Sequence, residues 1–285
     1  VDPEFFDLWK SADHSNYPWT GILFGAPILG VWYWCTDQFI VQRVLSARDE
    51  DNARKGTIFA GYLKMLPLFI FVLPGIVAYA LVQQGALQIS EPNNTLPVLV
   101  QAVLPVGLRG LVIAGLFAAL MSSLSSVFNS CSTLITLDFY KKYKEQTTER
   151  ELVIVGQVST VILVILGLLW IPFMDYFSNQ LFLYLQSIQS YIAPPITAVF
   201  LIGLFYKRLN STGAITSLIS GFFLGFLRFI LELYKSSLSG FWHDIATINF
   251  LHFALLLFVI CTVILITVSL FTKKPDEEQI KDVVY

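Results

Sequence analysis

Ionisable residues are what this sequence has least of: 13% of its 285 residues are charged, against 55% hydrophobic. With a mean hydropathy of +0.68, that balance excludes an ordinary soluble domain and assigns the chain to a lipid bilayer. Histidine and cysteine are also scarce, at three each. Cys35, Cys131 and Cys261 lie far apart inside apolar blocks, so they form neither a disulfide framework nor a metal spacing and read as small buried hydrophobes. His14, His243 and His252 fall in or beside segments predicted to lie outside the membrane, remote from the serines that could act as nucleophiles. Paired intramembrane aspartates and a His-plus-Glu metal spacing are absent too, which argues against an intramembrane protease or lipid-modifying hydrolase. The net charge of −2 says nothing about partners when charges are this segregated, and the basic residues sit in short clusters at predicted helix ends, which argues against nucleic acid.

What remains is organised in blocks. Apolar runs cover roughly 19–42, 56–82, 110–137, 152–177, 181–206, 213–233 and 248–272, each near the ~20 residues that a helix needs to cross a bilayer. The runs are continuously apolar instead of alternating every second residue, so a transmembrane barrel is excluded and seven helical spans are expected. Basic residues cluster at every second connection: Arg43, Arg48, Arg54 and Lys55; Lys141, Lys142, Lys144 and Arg150; Lys207 and Arg208; Lys273, Lys274 and Lys281. The alternate connections, 84–104, 178–180 and 234–247, hold Lys235 and little else that is positive. Cytoplasmic loops carry such an excess, so the N-terminal segment is expected outside and the C-terminus in the cytoplasm. The opening VDPEFFDLWKSADHSNYPW reads as an outside loop feeding a membrane helix, in the middle of something longer.

The first span holds Gly25, Pro27 and Gly30 within six residues. Two readings stand for it: a kink packed against a neighbour, or a break lining a wet cavity of the kind that transporters use. Directly after comes WYWCTDQ. Asp37 is expensive in hydrocarbon and is assigned a structural or gating role at the hydrated inner half. Tyr33, Trp34 and Gln38 combine aromatic faces with amide hydrogen bonding, which suits a polyhydroxylated ligand but equally suits membrane packing.

Lys64, in GYLKMLPLFIFVLPG, lies about nine residues beyond the cytoplasmic cluster and so ~13 Å deep in a regular helix. A basic residue at that depth is either a ligand group or a snorkelling one. In the third span Ser122, Ser126, Asn129, Thr133 and Thr136 recur at steps of three and four, giving one hydroxylated face. Small polar residues also join membrane helices to one another. Ser122 and Ser123, with the carbonyl of Ala119 one turn earlier, supply hard oxygens of the kind an alkali cation prefers, although they cannot complete a site alone. The fifth span carries Gln186 and Gln189, then Pro194 and Pro195 as a kink signal. These amides could bind a hydroxylated ligand beside a hinge or bond to another helix. Arg228 and Glu232, four apart, read as a pair at the membrane boundary.

The stretches YPWTGILFGAPILGVWYWCTDQFIVQRVLSA, GYLKMLPLFIFVLPG, LPVGLRGLVIAGLFAALMSSLSSVFNSCSTLITLDFY and LQSIQSYIAPPITAVFLIGLFYKRLN together resemble the sodium/glucose cotransporters of the solute:sodium symporter family. The resemblance extends over essentially the whole chain. It implies an all-α polytopic membrane protein with the inverted-repeat symporter fold. Residues 1–18 would be an extracellular or periplasmic loop, 19–206 the second five-helix repeat, 207–272 two peripheral transmembrane helices and 273–285 a cytoplasmic tail. The implied activity is uptake of a glucose- or galactose-like sugar driven by sodium through alternating access, in the plasma membrane, with no cofactor beyond the coupling ion.

By matching motif positions, Tyr33 would be the inner gate, Trp34 its aromatic neighbour, Lys64 and Gln186 sugar ligands, and Ala119, Ser122 and Ser123 the sodium ligands on this chain. Where relatives often place a polar side chain one turn before the gate tyrosine, this sequence has Gly30. The first repeat, which would complete the sodium and sugar sites, is lacking, so the chain alone is expected not to transport. A sodium-independent facilitator or a sensor on the same fold is the alternative, because sequence shows a site but not coupling.

Overall fold

The computed structural model of the chain describes residues 7, 9–144, 146–174 and 181–275, without the side chains of 173 and 174. The expected outside connection at 178–180, Lys281 and the end of the tail lie outside the described residues. All regular structure among the described residues is helical. Among the described residues six helical paths are long and apolar enough to cross a membrane: Glu50–Gln83, Val106–Tyr143, Glu149–Pro172, Leu181–Phe205, Ser211–Leu233 and Phe250–Phe271. They correspond to the second to seventh apolar blocks; the first is divided.

That first block runs through α1 (Trp19–Phe24) and α2 (Ala26–Val31), a π-helical turn at Trp32–Thr36, and α3 (Gln38–Leu45). The backbone leaves the helix at Asp37 (φ −73°, ψ 116°), whereas Gly25 keeps right-handed helical angles (φ −88°, ψ −46°). The break therefore falls seven residues beyond Gly30 instead of within the glycine and proline cluster. Pro27 occupies the first turn of α2, where the missing N–H costs nothing. Gly25 serves close approach: a Cβ there would stand 2.2 Å from the carbonyl oxygen of Leu251.

The described residues divide into two compact units, one within Gln42–Gln180 and the other drawn from Phe6–Val41 and Leu181–Tyr285. In the first unit, Asp49 caps α4 (Glu50–Leu63) by accepting from Asn52 N at 2.8 Å, as a short acidic side chain does at a helix start. The path then turns at Lys64 and Met65, passes through a π segment at Leu68–Val72, and continues as α5 (Leu73–Gln83). After α6 (Thr95–Val103), the long α7 (Val106–Thr133) runs through another π segment, Leu134–Tyr140, into α8 (Lys141–Tyr143). α9 (Glu149–Met174) packs against α7 at Gly156, whose carbonyl accepts from Ser132 Oγ at 2.7 Å.

The core of the second unit is made by α10 (Leu181–Phe205), α11 (Ser211–Leu233) and α13 (Phe250–Phe271), with the short α12 (Phe241–Thr247) before the last. Small residues let these helices meet closely. Ser217 Oγ donates to Cys261 O at 2.8 Å, and a Cβ on Gly221 would lie 2.5 Å from Pro195 Cγ. α1 and α2 pack on α10 and α13, and the buried Thr197 hydroxyl donates to Ile28 O at 3.0 Å. Arg208 donates to the carbonyls of Leu270 and Thr272 at 3.1 and 2.9 Å, satisfying acceptors at the end of α13. Of the three cysteines, Cys261 is buried as expected, Cys131 is half-buried, and Cys35 is exposed on the π turn, a correction to its expected burial.

Candidate functional site

The residues nominated from sequence fall on both units. In the second, Tyr33 and Trp34 occupy the π turn, an irregularity that often marks functional positions. Their rings meet edge to face with centroids 5.4 Å apart, and Tyr33 also meets Phe39 at 6.2 Å. The wider turn is closed by Asp37 N donating to Trp32 O at 3.2 Å and by Thr36 Oγ1 donating to the same carbonyl at 2.7 Å.

Asp37 caps the helix that follows: its Oδ1 accepts from Phe39 N at 3.3 Å, and its carbonyl takes the first hydrogen bonds of α3, from Ile40 N and Val41 N. An acidic side chain stands there because a new helix starts there, with four orphan N–H groups to satisfy. That signal, an aspartate directly before an apolar run, was available in the sequence. Gln38 is the first residue of α3. A Cβ added at Gly30 would meet nothing within 4 Å, so the space that a longer side chain would fill is open.

α10 packs against both α2 and the π turn. It carries Gln186 and Gln189, half-buried, one to two turns before Pro194 and Pro195. The proline pair is fully buried, and α10 runs through it as one helix, with Gly221 of α11 against the Pro195 ring and Gly225 against the Tyr191 carbonyl. The structure thus brings Tyr33 and Trp34 onto an element packed against the helix of the two glutamines, within one unit.

In the first unit, Lys64 is exposed at the end of α4, where its N–H donates to Ala60 O at 2.9 Å before the chain turns. It therefore marks an interruption of the second span and is not a residue inside a regular helix. Ala119, Ser122 and Ser123 lie mid-way along α7 and are exposed. The Ser122 carbonyl accepts from Ser126 Oγ at 3.0 Å, and Ser126 Oγ accepts from Arg43 Nη2 at 2.6 Å. Farther along, the stripe changes role: Thr136 is buried, and both Ser132 and Thr136 border Gly156 of α9. One end of the polar face is thus helix-packing surface and the other is open. A cavity of about 630 Å³ in this unit, lined by Phe69, Phe71, Leu99, Val103, Val112 and Leu116 among others, includes none of the nominated residues.

Among the described residues no cluster of His, Cys, Asp or Glu could hold a metal ion. Hard oxygens of the kind an alkali cation takes stand on α7 instead, in the Ala119 carbonyl and the Ser122 and Ser123 hydroxyls. The expected pairing of Arg228 with Glu232 is present, with Nη1 3.7 Å from Oε2, but sequence reasoning missed the burial of Arg228, which is 3% exposed in the second unit.

The sequence pattern of the Sodium:solute symporter family matches residues 1–221. Sodium/glucose cotransporter 4 of Mus musculus is 42% identical over 97% of this chain and 43% of its own length. Sodium/myo-inositol cotransporter 2 of Homo sapiens is 40% identical over 96% of this chain and 44% of its own, and a sodium/mannose cotransporter of Bos taurus is 40% identical over 98% and 50%. The chain thus spans half or less of the length of these relatives. Among solved structures, a Na+-coupled sialic acid symporter in a substrate-bound outward-open state matches with a TM-score of 0.71 and 20% identity, over 94% of this chain and 52% of that one.

Proposed function

The chain belongs to the sodium:solute symporter family, and from that premise we propose that it supplies the second five-helix repeat and two peripheral helices of a plasma-membrane transporter that drives sugar uptake with sodium. The family is one of transporters, so the chain is not an enzyme, and its apolar helices make it a multi-pass membrane protein. The observation that carries the sugar reading is the pairing, within one unit, of a π turn presenting Tyr33 and Trp34 with a helix presenting Gln186 and Gln189. Ring faces meet the C–H surface of a sugar, and amides exchange hydrogen bonds with its hydroxyls. By motif position, Gln38 and Lys64 are further candidate donors to the sugar.

For sodium, the Ala119 carbonyl and the Ser122 and Ser123 hydroxyls supply three hard oxygens on one face of α7. The remaining ligands, and the rest of the sugar site, come in this reading from a first repeat. The helices of the first unit leave room for it: their most apolar windows are 6%, 0% and 11% buried, against 39%, 28% and 33% for α10, α11 and α13. Alternating access then exposes the site to each side in turn, with Tyr33 as inner gate above the break at Asp37. The N-terminus of the chain lies outside and the C-terminus in the cytoplasm, as the basic connections require.

The test is radiolabelled glucose and galactose uptake into proteoliposomes by the full-length transporter, with and without an inward sodium gradient, beside Ser123→Ala. Sodium-driven accumulation that falls at least tenfold in the variant is expected, since one lost ligand of roughly 1.4 kcal/mol is worth that factor. Uptake indifferent to sodium and to Ser123 would turn the reading to a facilitator or sensor.

A further inference from the structure

Arg228 is 3% exposed although it stands in an apolar helix. Burying a guanidinium is costly unless its surroundings compensate. Here the Arg228 guanidinium lies over two ring faces, 5.3 Å from the Tyr191 centroid and 5.5 Å from the Phe253 centroid, with the rings themselves edge to face at 5.5 Å. Nη2 donates to Ile248 O at 3.1 Å, and Nη1 is 3.7 Å from Glu232 Oε2. The same Glu232 oxygen accepts a hydrogen bond from the Tyr191 hydroxyl. Tyr191 belongs to α10, Arg228 and Glu232 to α11, and Phe253 to α13. One buried cation thus joins three helices.

Tyr191 is held by its main chain as well. Pro195 has no N–H for the carbonyl of Tyr191, so that acceptor is left over from the α10 ladder. Gly225 of α11 closes on it: a Cβ at Gly225 would stand 2.3 Å from Tyr191 O. At 3.6 residues per turn, Gln186 and Gln189 project about 140° and 160° away from Tyr191. The amides therefore face the opposite side of α10 from the cation.

We propose that Tyr191, Arg228 and Glu232 form a clamp that sets the sugar-binding half of α10, making Tyr191 and Glu232 positioning residues for Gln186 and Gln189. This rests on the sugar reading of those two amides. Gln186 lies eight residues, about 12 Å, from the proline pair, so a tilt of roughly 5° there displaces it by about 1 Å, enough to spoil a directional hydrogen bond. The prolines weaken the α10 ladder at that point, and the clamp restores the stiffness.

The experiment is a double-mutant cycle in the full-length transporter, with Tyr191→Phe, Glu232→Gln and the pair together. The readouts are KM for glucose at saturating sodium, Vmax per reconstituted molecule and half-saturating sodium. Each single variant is expected to raise KM about tenfold, as loss of one charge-assisted hydrogen bond does, with Vmax per molecule within about twofold and the sodium dependence unchanged. The double variant is expected to add little, because both changes remove the same charge-assisted contact between Tyr191 and Glu232. Wild-type KM with fewer assembled molecules, or KM rises that multiply, would overturn the clamp as a positioning device. Wild-type protein that takes up no glucose would instead overturn the sugar reading, and this role with it.

Discussion

Two glycines of the first block differ in kind although the sequence presents them as one cluster. Gly25 has an ordinary helical backbone and is required only because α1 and α2 cross α13 so closely that a Cβ would fall 2.2 Å from Leu251 O. Gly30 faces open space. Gly25→Ala is therefore expected to destabilise the protein by about 1–3 kcal/mol, the usual cost of overpacking, seen as a lower melting temperature of the purified transporter. Gly30→Ala is expected to leave the melting temperature unchanged or slightly raised, since alanine is the better helix former. Equal effects at both positions would show that the packing at Leu251 is not tight. At the same scale, the buried Thr197 hydroxyl ties α10 to Ile28 O, a bond that hydropathy alone does not reveal.

At the scale of elements, α3 begins because Asp37 begins it. The carboxylate accepts from Phe39 N while the preceding π turn ends in an extended residue. Asparagine caps as well as aspartate and alanine does not. Asp37→Asn is thus expected to keep sodium-driven uptake near wild type, and Asp37→Ala to lose about 1 kcal/mol of helix-start stability with slower uptake. Loss of uptake in the asparagine variant would assign the charge itself to gating. α10 presents the converse case. Its proline pair reads as a hinge in isolation, yet α11 and α13 surround it with Gly221, Gly225 and Cys261, and the kink is packed from several sides.

For the whole molecule, the sorted basic residues and the odd number of apolar blocks predict residue 94 outside and residue 207 inside. An impermeant maleimide applied to intact cells is expected to label Asn94→Cys but not Lys207→Cys in the full-length transporter; the reverse pattern would invert the topology and with it the inner position of the Tyr33 gate. The native Cys35 is exposed and Cys261 fully buried, so an unmodified control separates their background.

The sequence alone determined the membrane class, the number and limits of the apolar blocks and the family, because bilayer thickness fixes span length and because WYWCTDQ, LMSSL and YLQSIQSYIAPP stand contiguous in the chain. It also contained the capping signal at Asp37, although a carboxylate inside an apolar block invites a chemical reading before a local one. Tertiary structure decided what depends on partners distant in sequence. Whether a glycine faces Leu251 or open space, whether Ser132 and Thr136 join α9, and whether Arg228 is exposed or buried against Tyr191 and Phe253 are set by which helix lies alongside. The spacing of Arg228 and Glu232 is the same for an exposed pair and for one whose arginine is buried. Only the rings of α10 and α13, which enclose the cation, distinguish the two.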